Sequence, residues 1–322
     1  MFFSRRNKFS GVTGWFRSAG ALAVLTASGA ALLSSDADAA CPASFSDYQV
    51  AIFSGTSGLM ASPELTVYPT SSSSASNYKV LGGGAIVHTI AGSAFLTASY
   101  PDVDPGSSVP LGWTAAAKNL GTGVQARISV YAIAVNDPDN CWDVKLFQSS
   151  TSTAVAHPAT SVSVAPGYVL AGGGARAEPV TPGRNGNFLF SSIPAAVGGS
   201  VYNGWSVHSK DHGVTDIANI TAYAVGIKAV GAGVATPVLN VIAGKPSAAA
   251  DYPAASANGY SNVLVGLTCT LTGGGAHDDW NNGYGNLLTA IYPAGTTNWQ
   301  SFAGFYGQSN PAVLTAYAVC LQ

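Results

Sequence analysis

The chain has 322 residues, with 13 Lys and Arg against 15 Asp and Glu, a formal charge of −2, and only 9% charged residues beside 47% hydrophobic ones. That balance gives no basic field for nucleic acid or an anionic membrane surface, and neither is expected as a partner. Its four cysteines include no C-x-x-C pair and no zinc-spaced Cys/His cluster, so no structural metal is expected, and no cofactor.

Residues 1–39 carry Arg5, Arg6, Lys8 and Arg17, then an uncharged run from Ser18 to Leu33, then Ala37-Asp38-Ala39. This is the order of a secretory signal peptide, with cleavage expected after Ala39. Asp38 stands where a lipoprotein signal wants Leu before Cys41, so no lipid anchor is expected. Cleavage removes four basic and two acidic residues, which leaves the mature chain at about −4. No later stretch is apolar for long enough to span a bilayer, so the reading is a secreted, extracellular or periplasmic protein.

The mature part repeats one ordered set of landmarks three times. Each copy opens on an apolar run: Val50-Ala51-Ile52-Phe53, Val144-Lys145-Leu146-Phe147 and Val241-Ile242. A glycine triplet with alanine follows at Gly82 to Ala85, Gly172 to Ala175 and Gly273 to Ala276. A strand ending in proline comes next: Phe95 to Pro101, Phe188 to Pro194 and Leu287 to Pro293. Then come Trp113, Trp205 and Trp299, and the closing strands around Tyr131, Tyr223 and Tyr317, each tyrosine 18 residues after its tryptophan. The division is 40–138, 139–236 and 237–322, with four to five strands expected per copy. Ser71 to Ser76, Gly231 to Gly233 and Ser247 to Ala257 read as loops from their Ser, Gly, Ala and Pro content.

Period-2 alternation in the closing strands, with no 3.6-residue stripe, predicts an all-β fold. Short joins at Asp137 to Asn140 and Lys228 to Thr236 favour one pseudo-threefold body, β-prism-like, with the glycine triplets near its axis. A propeller-like ring or three separate β modules are the alternatives. Export puts Cys41, Cys141, Cys269 and Cys320 in an oxidising compartment, so two disulfides are expected. Cys41–Cys141, bracketing the first copy, and Cys269–Cys320, bracketing the core of the third, are favoured among the three connectivities. The pattern GGGA, Tyr-Pro, Trp and Thr315-Ala316-Tyr317-Ala318-Val319-Cys320 resembles tandem repeats of secreted bacterial proteins of unassigned function. That resemblance implies the architecture and no activity.

Chemistry is sparse. The triplets lack the helix and the Lys that a phosphate loop needs, so close strand packing accounts for them. No G-x-S-x-G elbow and no H-E-x-x-H occurs. Asp102 with Asp104, and Asp137 with Asp139, offer oxygens to a cation, but acids in turns bond to their own backbone. The most unusual polar cluster is His277-Asp278-Asp279-Trp280 with Tyr284, read as a copy-specific loop after the third triplet; His88 and Glu178 occupy the matching stretches. Carboxylates for hydroxyls and an aromatic ring for the apolar face are what a sugar site uses; a solvated turn is the plainer reading. The expected function is therefore a secreted, non-catalytic surface or binding protein, lectin-like, with a glycan or cell-surface polymer as partner. A secreted hydrolase acting on polysaccharide or ester is the alternative.

Overall fold

The computed structural model describes residues 41–69, 77–89, 93–120, 124–181, 186–244, 246–251, 254–258, 269–280, 285–307, 309 and 311–322, with 254–258 described as backbone only. The signal-peptide assignment, the Ser71 to Ser76 loop and Tyr284 lie outside the described residues. Apart from a one-turn 3-10 helix at Phe45–Asp47, the regular structure of the described residues is strand. In chain order the strands are β1 (Val50–Thr56), β2 (Glu64–Val67), β3 (Tyr78–Thr89), β4 (Ala94–Asp102), β5 (Gly112–Asn119), β6 (Ala126–Asn136), β7 (Trp142–Gln148), β8 (Ala159–Ser163) and β9 (Val169–Pro179). They continue as β10 (Phe188–Ala195), β11 (Gly204–Lys210), β12 (Ala218–Ala229), β13 (Leu239–Ala243), β14 (Ala254–Asn258), β15 (Thr270–Asp278), β16 (Leu287–Pro293), β17 (Asn298–Gly304) and β18 (Leu314–Leu321).

The fold is all-β: three open antiparallel sheets of six strands. The first runs β1-β6-β3-β16-β17-β14, the second β7-β12-β9-β4-β5-β2, and the third β13-β18-β15-β10-β11-β8. No sheet comes from one contiguous stretch; each joins three strands from one part of the chain to three from another. The seams are narrow. β3 meets β16 only at Ala85↔Ile291 and Ile86↔Ala290, β9 meets β4 only at Ala175↔Ser99 and Arg176↔Ala98, and β15 meets β10 only at Ala276↔Ser192 and His277↔Ser191.

Two expectations are corrected here. Strands outnumber the four to five expected per copy, because the short edge strands β2, β8 and β14 carry too few apolar residues to signal themselves. β14 also corrects the C-terminal part of the loop expected at Ser247 to Ala257: from Ala254 onward small residues pair in register with β17, Ala255↔Ser301 and Ala257↔Trp299 among them, while Ser247 to Asp251 lie outside the strands. Tertiary pairing overrides the low strand propensity of Ala and Ser.

The glycine triplets follow from packing. A side chain on the middle glycine, Gly83, Gly173 or Gly274, would collide with the indole of Trp113, Trp205 or Trp299, each 0% exposed. The first glycines pack on one another. A β carbon on Gly82 would lie 3.1 Å from Gly273 Cα, one on Gly172 3.1 Å from Gly82 Cα, and one on Gly273 3.0 Å from Gly172 Cα. Only residues without a side chain permit that backbone approach. The indole N–H of Trp113 donates to Ser99 Oγ at 2.9 Å and that of Trp205 to Ser192 Oγ at 2.9 Å. Trp299 Nε1, buried as deeply, has no acceptor; Ile291 stands opposite β3 where Ser99 and Ser192 stand in the other two seams.

Cys41 bonds Cys141 and Cys269 bonds Cys320, the favoured connectivity, and no described cysteine is free. The first bridge sits in an aromatic cluster of Phe45, Tyr48 and Trp142. Asp137 closes the adjoining turn: its carboxylate accepts the Cys141 and Trp142 N–H groups at 2.8 and 3.0 Å and pairs with Lys79 at 2.7 Å. Among the described residues no helix is long and apolar enough to cross a membrane.

Candidate functional site

The seam between β4 and β9 widens into a pocket of about 370 Å³ on the outer face of the second sheet. Its floor is hollow because the two residues facing each other there are small, Ala98↔Ala116. At the matching place the third sheet has Ser191↔His208 and the first has Ala290↔Phe302, so the bulkier His208 and Phe302 stand where the second sheet has Ala116. Across the seam the partners differ too: Arg176, His277 and Ile86 respectively.

Arg176, Lys118, Glu64 and Glu178 line the pocket with Tyr100. Arg176 Nη2 pairs with Glu178 Oε1 at 3.0 Å, with both side chains over 40% exposed, and its guanidinium lies 5.5 Å from the Tyr100 ring centre. Tyr100 stacks on Tyr223, centroids 5.1 Å apart. Burial pushes the Tyr223 hydroxyl up to about 12, against the pull of Arg176, so it stays protonated and neutral beside Tyr100. Burial also lowers the Lys118 ammonium, partly offset by Asp216. Two cations face two anions in one hollow. Such a lining supplies donors and acceptors without a net field, which suits a neutral polyhydroxyl ligand better than an anion, and the volume lies within the range of small-ligand sites.

The residues singled out from sequence stand on three sheets. Glu178 is in this pocket. His88 is exposed on β3 of the first sheet and contacts Ser129 Oγ at 2.9 Å. The stretch after the third triplet is not wholly a loop: β15 continues through His277 and Asp278, and Asp278 is 0% exposed. Asp279 is exposed and Trp280 half-buried, its ring 4.7 Å from that of His157 and 5.6 Å from that of Phe190. His277 and His208 flank the buried Ser191, whose Oγ has no hydrogen bond. Burial lowers the pKa of both imidazoles, and both lie near the Phe190 ring. Tyr100, Lys118 and Glu64 carried no signal of their own; the clue was Ala116, small where His208 and Phe302 stand in the other two sheets. Among the described residues no group of three His, Cys, Asp or Glu side chains is placed to hold a metal ion.

Comparison with family models finds no match, and no curated protein matches the chain.

Proposed function

We propose that this is a secreted, non-catalytic binding protein, three tandem β repeats forming one pseudo-threefold, prism-like body, with a carbohydrate as its ligand. The repeat reading is supported by the same strand order in all three sheets and by the first glycines of the triplets meeting one another. Secretion is supported by two disulfides together with the basic, apolar and small-residue order of residues 1–39.

The observation that carries the binding reading is the charge-balanced pocket at the β4–β9 seam. Arg176 offers a fork of donors and Glu178 and Glu64 offer acceptors, the complement of a ring of hydroxyls. The test is a glycan array, or isolated cell-wall polysaccharide, probed with the parent and with Arg176→Ala/Glu178→Ala. The double variant is expected to lose binding with an unchanged melting temperature. Unaltered binding by that variant overturns the site; loss in His277→Ala/Asp279→Ala instead moves it to the third sheet. Turnover of a glycan or ester by the parent replaces binding with hydrolysis.

A further inference from the structure

At the end of β11, opposite Phe188, Lys210 is 0% exposed. Its Nζ lies 4.8 Å from the ring centre of Trp280 and 6.0 Å from that of Phe190. The chain leading into β16 passes so close that a side chain on Gly285, held at φ +56°, would collide with Nζ and with the Trp280 ring. The next residue, Asn286, is also 0% exposed; its amide Nδ2 donates to Ala250 O at 2.8 Å and its Oδ1 has no partner. Asp278 is the third fully buried polar group, with the Asn286 side chain against its carboxyl and neither oxygen in a hydrogen bond of normal length. An amine, a carboxamide and a carboxyl group thus share one water-excluded space lined by aromatic rings.

The other seams provide an internal comparison. Lys118 faces Phe95 as Lys210 faces Phe188, whereas Gly304 faces Leu287. Lys118 Cδ would lie 3.2 Å from a β carbon on Gly186, the residue before Asn187, as Lys210 lies against the residue before Asn286. By the same progression Gly304 belongs with the segment before Phe95, and Ala94 stands there. Lysine and asparagine therefore occur together or are both missing. Beside Lys118 the acid is Asp216, whose carboxylate already accepts the Gly186 N–H at 2.7 Å. The Lys210 space alone joins the lysine and asparagine to an acid with unbonded oxygens.

We propose that Lys210 and Asn286 form an intramolecular amide cross-link, with Asp278 as the proton carrier, tying β11 to the start of β16. Burial brings both ionisable groups to the forms the reaction needs: it lowers the lysine to about 7, making the free amine accessible at neutral pH, and raises Asp278 to about 7, making the carboxylic acid accessible. Asp278 gives hydrogen-bonding or a proton to Asn286 Oδ1. The Nζ lone pair attacks Cγ, and a tetrahedral carbon forms. A proton from Nζ passes through Asp278 to Nδ2, the Cγ–Nδ2 bond breaks, and ammonia leaves as the carbonyl reforms. Amine plus carboxamide gives a secondary amide plus ammonia, with no change of oxidation state and Asp278 returned as the acid.

The test is the intact mass of the exported protein after folding. The expected mass is that of the mature sequence less the four hydrogens of two disulfides and less one ammonia. Proteolysis is expected to yield a branched peptide joining Lys210 to Asn286. Lys210→Arg, Asn286→Ala and Asp278→Asn should each carry the full mass at these positions, with circular dichroism reporting whether each variant folds. A parent without the ammonia loss, or with an unbranched Lys210 peptide, overturns the proposal even if every variant fails to fold. Loss of water with a Lys210–Asp278 branched peptide overturns the assignment of Asn286 as the partner.

Discussion

The three buried tryptophans offer a controlled measurement of what one indole hydrogen bond contributes, since two have an acceptor and the third does not. Ser99→Ala and Ser192→Ala each remove the oxygen that takes an indole N–H at 2.9 Å, at positions where serine and tryptophan are all 0% exposed. Water does not replace the lost acceptor, so each variant is expected to cost about 1–3 kcal/mol, the range for a buried donor left unpaired. For a chain of this size that lowers Tm by about 2–4 °C per kcal/mol. Denaturant unfolding at constant slope gives the same quantity independently. Trp299 already lacks an acceptor, so Trp299→Phe relieves an unpaired donor, whereas Trp113→Phe and Trp205→Phe each orphan a serine. The Trp299 variant should therefore be milder than the other two by about that same 1–3 kcal/mol. Serine variants that unfold with the parent, within about 0.5 kcal/mol, would refute the reasoning, as would equal costs for all three Phe variants.

Three further outcomes follow from the same contacts. Trp205→Ala should lose about 3–5 kcal/mol in chemical denaturation, because a fully buried indole leaves a cavity against Gly173. His208 and His277 have folded pKa values lowered by burial, so the unfolded chain binds more protons below its ordinary 6.5 and stability contributed by their neutral forms is lost as pH falls from there. The difference in stability between parent and His208→Gln/His277→Gln, measured from pH 8 down to about 5, should change in the direction that favours the double variant at the acid end. Removing either disulfide as a Cys→Ser pair should cost about 2–5 kcal/mol. The Cys41–Cys141 pair, separated by 100 residues against 51 for Cys269–Cys320, should matter more by about 0.6 kcal/mol, read from denaturant midpoints.

The long central strands were legible because their signal is local: alternation, a triplet of glycines, a tyrosine at fixed distance from a tryptophan. The disulfide pairing was legible for a related reason, since each bridge brackets a run of those strands. The edge strands were not. Ala254–Asn258 has strand structure only because β17 lies beside it, a relation between residues 40 to 48 positions apart that composition cannot carry. The candidate site shows the same divide. Glu178 was found by its difference from the other copies, but Tyr100, Lys118 and Glu64 become a lining only when β4 is laid against β9. The burial of Asp278 was not legible for the converse reason: an acid beside two polar neighbours looks solvated, and only the register of β15 against β18, Asp278↔Leu314, turns it inward.

The narrow seams also bear on how such a chain reaches its final form. The first sheet pairs β3 with β16, residues from opposite ends of the described chain, so its last seam forms only after nearly all of the polypeptide has been released. A nascent chain lacking β16 carries β3 with one unpaired side, and one lacking β15 carries β10 in the same condition. Contacts of such long range slow closure and leave open edges that another molecule's strands fit equally well. Because every seam uses the same two-residue contact beside a glycine triplet, a truncated copy presents a ready socket for the missing part of a neighbour. Crowding during folding would then favour exchange of such segments between chains, with mixed-chain assemblies as the characteristic misassembled product.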